Sequence, residues 1–162
     1  MTNLNYKNLR WLLLSIFIIA IDQWTKISVE NHLEFAQRIP VMPFFDLTLQ
    51  YNRGAAFSFL SDAGGWQRWF FSAMAFVVSG ILSVWLLKEP VGKKWMPIAL
   101  TLIIGGAIGN VIDRIYAGQV TDFILWYVGD HYWPAFNIAD SAICVGAVML
   151  FLDGFFNKRD PQ

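Results

Sequence analysis

Residues 105–141 read GGAIGNVIDRIYAGQVTDFILWYVGDHYWPAFNIADS. In this stretch Asn110, Asp113, Arg114, Asp122, Asn137 and Asp140 stand among residues otherwise suited to lipid. An ionisable group at membrane depth costs a few kcal/mol or more, so it persists where it is paired, wetted or used. Several of them so close together point to a site.

The rest of the chain supplies the apolar frame. Of its 162 residues 56% are hydrophobic and 15% charged, and the mean hydropathy is +0.45. That is too apolar and too poor in charge for an ordinary soluble domain. Four segments, residues 11–29, 69–87, 95–112 and 135–156, each approach the ~20 residues that cross a bilayer core as a helix. All eight tryptophans lie at or near the ends of these segments, where indole suits the water interface. The start of the chain, with Lys7 and Arg10 before an apolar run, has the outline of a signal peptide, but Asp22-Gln23-Trp24-Thr25-Lys26 follows without a small-residue cleavage site. A retained first span is expected.

Basic residues in short loops orient the spans: Lys7 and Arg10 before the first, Lys88, Lys93 and Lys94 between the second and third, Lys158 and Arg159 after the fourth. Both termini are expected in the cytoplasm, and the two longer connections, residues 31–68 and 113–134, on the opposite side. In the first connection Leu47, Leu49 and Tyr51 alternate with Thr48, Gln50 and Asn52, a half-buried strand pattern. Arg53-Gly54 and Gly64-Gly65 read as turns around a second apolar run at residues 55–60. In the second connection, apolar residues flank Gly129-Asp130 as they would in a hairpin. The expectation is a membrane α-helical fold: four transmembrane helices with a small extracytoplasmic β-sheet on the membrane surface, residues 1–162 forming a single domain.

Composition narrows the chemistry. Twelve basic residues balance twelve acidic ones, which gives no case for nucleic acid. One cysteine excludes an internal disulfide, and two histidines with one cysteine make a zinc site of usual composition improbable. Cys144, one turn below Asp140, is expected to lie deep in its span as an inert thiol. His131 beside Tyr132 and Trp133 reads as an interfacial aromatic rather than a base, and Glu89 is expected to meet water at its span end.

Two residue pairs have a simple structural reading, Arg114 neutralising Asp113 and Lys26 pairing with Asp22 at i, i+4. Asp122 and Asp140 are different. Either could cap a helix or turn, but capping does not require two carboxylates at the membrane boundary. Brought to ~4 Å at an effective dielectric of 20, two ionised carboxylates repel by about 4 kcal/mol, so one proton would be shared. That is the working state of an aspartic protease, in which one carboxylate takes a proton from water while the other polarises the amide, without metal or cofactor. Asn110 and Asn137 would orient the pair or donate to the oxyanion. A small transporter or proton-relay protein also places acids in spans, but transporters often show repeated halves with midplane sites, and here the polar groups gather at one interface. A structural subunit using Gly105-x-x-x-Gly109 to bind another helix leaves the acids unexplained.

Five blocks in order resemble the lipoprotein signal peptidases (signal peptidase II): Asp22-Gln23-x-Thr25-Lys26, Asn52-x-Gly54-x-Ala56-Phe57, Gly106-Ala107-x-Gly109-Asn110-x-x-Asp113-Arg114, Val120-x-Asp122-Phe123 and Phe136-Asn137-x-Ala139-Asp140-Ser141. The resemblance implies an aspartic peptidase of the bacterial inner membrane that removes the signal peptide of a prolipoprotein before its diacylglyceryl-modified cysteine. It implies Asp122 and Asp140 as the catalytic dyad, Asn110, Asp113, Arg114 and Asn137 as the polar shell with Arg114 acting through Asp113, and Asp22, Lys26, Asn52 and Gly54 at the substrate-facing rim. Lipid-modified prolipoproteins and membrane lipid are the partners expected, at the outer face, and a monomer is expected.

Overall fold

The computed structural model describes residues 4–54 and 64–156. Among the described residues four helices are long and apolar enough to cross a membrane: α1 (Leu12–His32), α2 (Gln67–Lys88), α3 (Trp95–Tyr116) and α4 (Ile138–Phe156). Each overlaps one expected span. The apolar run at residues 55–60, with Ala56 and Phe57, lies outside the described residues, as do Lys158 and Arg159.

Helix α3 is the most buried of the four, packed against α1, α2 and α4. Small residues make this possible. A Cβ on Gly105 would stand 3.0 Å from the Ser15 backbone of α1, one on Gly106 would strike the Ala139 carbonyl of α4, and one on Gly109 would lie 2.8 Å from Asp22 Oδ2. The Gly-x-x-x-Gly spacing thus seats α3 against α1 within this chain, with no second protein required. Away from the site, Leu82, Leu86, Met96, Leu100 and Ile104 form an apolar core between α2 and α3.

Helix α3 runs a turn beyond the expected limit at residue 112. Hydropathy falls at Asp113, but Asp113 and Arg114 find polar partners inside the fold, so the helix continues until Gly118, whose φ of +74° ends it. Helix α4 conversely starts at Ile138 because Phe136 is held in extended form against β3, its N–H and carbonyl both bonded to Ile124.

The sheet is antiparallel, in the order β1 (Arg38–Met42), β2 (Phe45–Asn52), β3 (Val120–Val128), β4 (His131–Tyr132). Strand β2 and the β3–β4 hairpin stand where alternation and the Gly129-Asp130 turn put them. Strand β1 was not expected: all five residues are exposed and Pro40 interrupts it, which an edge strand tolerates. Leu49 and Phe123 pack with Val29 of α1 and with Ile138, fastening the sheet across the helix ends. Gln50 pairs with Asp122 in the β2–β3 ladder, so the sheet delivers Asp122 to the helices.

Candidate active site

All ten residues singled out from the sequence meet at this end of the bundle. Asn137 stands between the two central carboxylates. Its Nδ2 donates to Asp122 Oδ1 at 2.8 Å, while its Oδ1 accepts from the Asp140 backbone N–H at 2.9 Å and its own N–H donates to Asp140 Oδ2 at 3.3 Å. The last two bonds form a capping box at the start of α4. Asp140 is therefore a helix-capping residue, as one reading of the sequence allowed, and at the same time the neighbour of Asp122. Asn110 donates from Nδ2 to Asp140 Oδ1 at 2.7 Å, so one asparagine serves each carboxylate across the gap.

Asp122 is 3% exposed. Burial, and after it the charge of Asp140, push its carboxyl up to about 7, while hydrogen bonds from Asn52 and Asn137 and the charge of Lys26 work in the opposite direction. Asn52 is held for this by its own turn, its Oδ1 accepting from Gly54 N at 2.9 Å.

Behind the pair lies a buried ionic knot. Lys26 Nζ is 2.7 Å from Asp22 Oδ2, 2.8 Å from Asp113 Oδ2 and 3.0 Å from Asn110 Oδ1. Asp22 reaches across to accept the Ala139 backbone N–H at 2.8 Å, capping α4 from α1. The i, i+4 pairing of Asp22 with Lys26 is as expected, but two other expectations are corrected. Asp22 and Lys26 are 0% and 2% exposed, so they support the site from within and do not rim it. Asp113 pairs with Lys26 and not with Arg114, because adjacent helical residues point about 100° apart and Asp113 faces α1. Arg114 instead donates to the Gly54 carbonyl at 3.1 Å and sits 5.5 Å from the Phe71 ring.

Gln23 was quoted in a motif and given no role, yet its Nε2 donates to Asp113 Oδ1 at 2.8 Å and to the Gly109 carbonyl at 3.2 Å. Thr121, which donates to Glu30 Oε1 at 2.5 Å, was missed; nothing local marks a contact between residues so far apart in sequence. Cys144 lies within α4, on its exposed face. Glu89 does not meet water: it is 3% exposed and accepts the Trp85 indole N–H at 2.7 Å. His131 is exposed on β4.

A buried and a half-buried carboxylate, separated by asparagine amides and backed by a lysine already committed to other acids, can share a proton and pass it to a bound amide. Comparison with known proteins agrees in class. The family described as "Signal peptidase (SPase) II" matches residues 14–156. Proteins called lipoprotein signal peptidase are 54% identical in Acinetobacter baumannii, over 96% of this chain and 89% of theirs, and 51% identical in Vibrio parahaemolyticus, over 96% and 93%. A bacterial membrane enzyme solved by the in meso method at 2.3 Å resolution superposes with a TM-score of 0.82 at 29% identity, covering 100% of this chain and 98% of its own. The match begins within α1 and ends with α4, taking in every residue of the site, and on it the chain belongs to the signal peptidase II family.

Proposed function

We propose that this chain removes the signal peptide from diacylglyceryl-modified prolipoproteins, cutting before the lipidated cysteine, with Asp122 and Asp140 as its aspartic dyad. The observation that carries the dyad is Asn137, whose side-chain amide donates to the Asp122 carboxylate and whose backbone N–H donates to the Asp140 carboxylate while it caps α4. One carboxyl of the pair takes a proton from water and the other supplies a proton to the scissile amide. Asn110 and Asn137 hold the pair, Lys26 with Asp22, Asp113 and Gln23 holds Asn110 and α4, and Arg114, bonded to the Gly54 carbonyl, secures the turn that carries Asn52.

The chain works as a single monomeric domain in the bacterial inner membrane, both termini in the cytoplasm and the site at the outer face. The loop charges support that orientation. A substrate whose signal helix lies in the bilayer and whose cysteine carries acyl chains brings its scissile bond to this interface, the chains lying in lipid against apolar helix faces.

Purified enzyme is tested on a diacylglyceryl-modified prolipoprotein by the gel-mobility change on loss of the signal peptide. Asp122→Asn and Asp140→Asn should each lower turnover by about 10²–10⁴-fold while remaining folded. Near-normal turnover by either folded variant removes that residue from the mechanism.

A further inference from the structure

Asp122 and Asp140 sit in unlike surroundings. Lys26 Nζ carries donors and no acceptor, so the Asn110 atom 3.0 Å from it is the amide oxygen, and the amide nitrogen is thereby turned onto Asp140 Oδ1 at 2.7 Å. Asn137 is fixed by the same logic: its oxygen meets the Asp140 N–H, and its nitrogen meets the Thr121 carbonyl at 3.3 Å and Asp122. Both oxygens of Asp140 therefore accept N–H donors, Oδ1 from Asn110 and Oδ2 from the Asn137 backbone. Asp140 also lies in the first turn of α4, where the helix dipole favours a negative charge. Asp122 lies within a strand, which offers no such dipole, and takes its bonds from the neutral amides of Asn52 and Asn137.

The charged groups facing this pair are Asp22 and Lys26 from α1 and Asp113 and Arg114 from α3. Lys26 reaches Asp140 through a single amide. Its three N–H groups are taken by Asp22, Asp113 and Asn110, so it has no bond to offer a substrate.

We infer that Lys26 is a positioning residue which, by pinning the Asn110 amide, makes Asp140 the ionised partner that deprotonates water and leaves Asp122 as the partner that holds the proton. This assignment rests on the aspartic dyad proposed above. In the forward step the water oxygen bonds to the scissile carbonyl carbon, its proton goes to Asp140, and Asp122 gives its proton to the carbonyl oxygen, forming a neutral gem-diol. On collapse the C–N bond breaks, the Asp140 proton goes to the leaving nitrogen, and a gem-diol hydroxyl proton returns to Asp122. The sum is amide plus water giving acid plus amine, with both carboxyls restored.

The test has two readouts. The first is the pH profile of kcat for Lys26→Met and Asn110→Leu on the same diacylglyceryl-modified substrate. Each should move the acid limb up by about one pH unit and lower kcat with KM changed by no more than about twofold. Asn110→Leu leaves Lys26 paired with both acids and so remains informative if Lys26→Met does not fold. Gln23→Met, which loosens the same knot without touching Asn110, should lower kcat evenly across pH. The second readout is the infrared carbonyl stretch of protonated carboxyls at about pH 6, above the ordinary carboxylate range and below the value of about 7 to which Asp122 is raised: a band present in the wild type should be lost in Asp122→Asn and kept in Asp140→Asn. An even fall across pH in Asn110→Leu, or loss of the band in Asp140→Asn with retention in Asp122→Asn, overturns the assignment. Turnover by either aspartate variant would instead strike at the dyad itself.

Discussion

The two ends of the helical bundle bury polar groups by different means. At the end away from the sheet, Asn5 and Asn8 in the short 3-10 turn before α1 donate to the last carbonyls of α2: Asn5 Nδ2 to Glu89 O at 2.9 Å, Asn8 Nδ2 to Leu86 O at 3.0 Å and to Glu89 O at 2.8 Å. Neutral amides supply the donors that the last carbonyls of a helix need, and the Glu89 side chain buried beside them accepts the Trp85 indole N–H. At the sheet end a lysine and two aspartates are buried in one knot, beside two further carboxylates. Replacing buried ion pairs by apolar residues is often neutral or stabilising. Stability alone does not call for a lysine and the carboxylates of Asp22, Asp113, Asp122 and Asp140 gathered at one end. The contrast supports placing the proposed chemistry at the charged end, and it can be pressed by experiment.

The largest effect expected is on pH-dependent stability. The Asp122 carboxyl rises from 3.8 to about 7 in the folded chain, so between these values the folded state binds a proton that the unfolded state has released. Stability from this group is fully present below the unfolded value and is lost as pH rises through about 7. At 1.36 kcal/mol per unit the loss is at most about 4 kcal/mol, an upper limit because Asp140 titrates with it. Asp122→Asn should flatten that part of the curve. Unfolding in a mild detergent, wild type against variant at pH 5 and pH 8, checks it; equal slopes would mean that Asp122 is not the group under strain.

Next in size is Gly106→Ala. The added Cβ would meet the Ala139 carbonyl and lie 2.8 Å from Ile143 Cγ1, and backbone cannot yield as a flexible side chain does. The start of α4 must shift, and Asp140 with it. A displacement of about 1 Å can cost about 10²-fold in rate, so turnover should fall by that order in folded protein. Gly80→Ala in α2, where a Cβ meets nothing within 4 Å, is the matched control and should leave turnover unchanged.

What could be read from residue order divides along physical lines. The helices were legible because length and apolarity are local properties, and β2 because alternation is. Strand β1 was not, since an exposed edge strand with a proline carries no alternating burial to detect. The carboxylates and asparagines of the site were conspicuous against lipid-like neighbours. Their pairings were not: Lys26 spans to Asp113 and Asn110 on another helix, and neither contact follows from sequence spacing. Adjacent charges such as Asp113 and Arg114 invite a pairing that helix geometry forbids.

The smallest effect tests the amide-capped end. Asn8 is 0% exposed, and its Nδ2 serves two carbonyls while its Oδ1 has no partner among the described residues. Asn8→Ala therefore removes one unsatisfied acceptor and takes one donor each from Leu86 O, which keeps the Glu89 N–H at 3.3 Å, and Glu89 O, which keeps the Asn5 amide at 2.9 Å. Each hydrogen bond lost costs about 0.5–1.5 kcal/mol, and relief of the Oδ1 offsets part of that. A net loss of about 1 kcal/mol is expected by denaturant or thermal unfolding in detergent, with turnover of the lipidated substrate unchanged. If turnover fell together with stability, the two ends would be coupled through α1, and the separation of an amide-capped end from the charged candidate site would have to be given up.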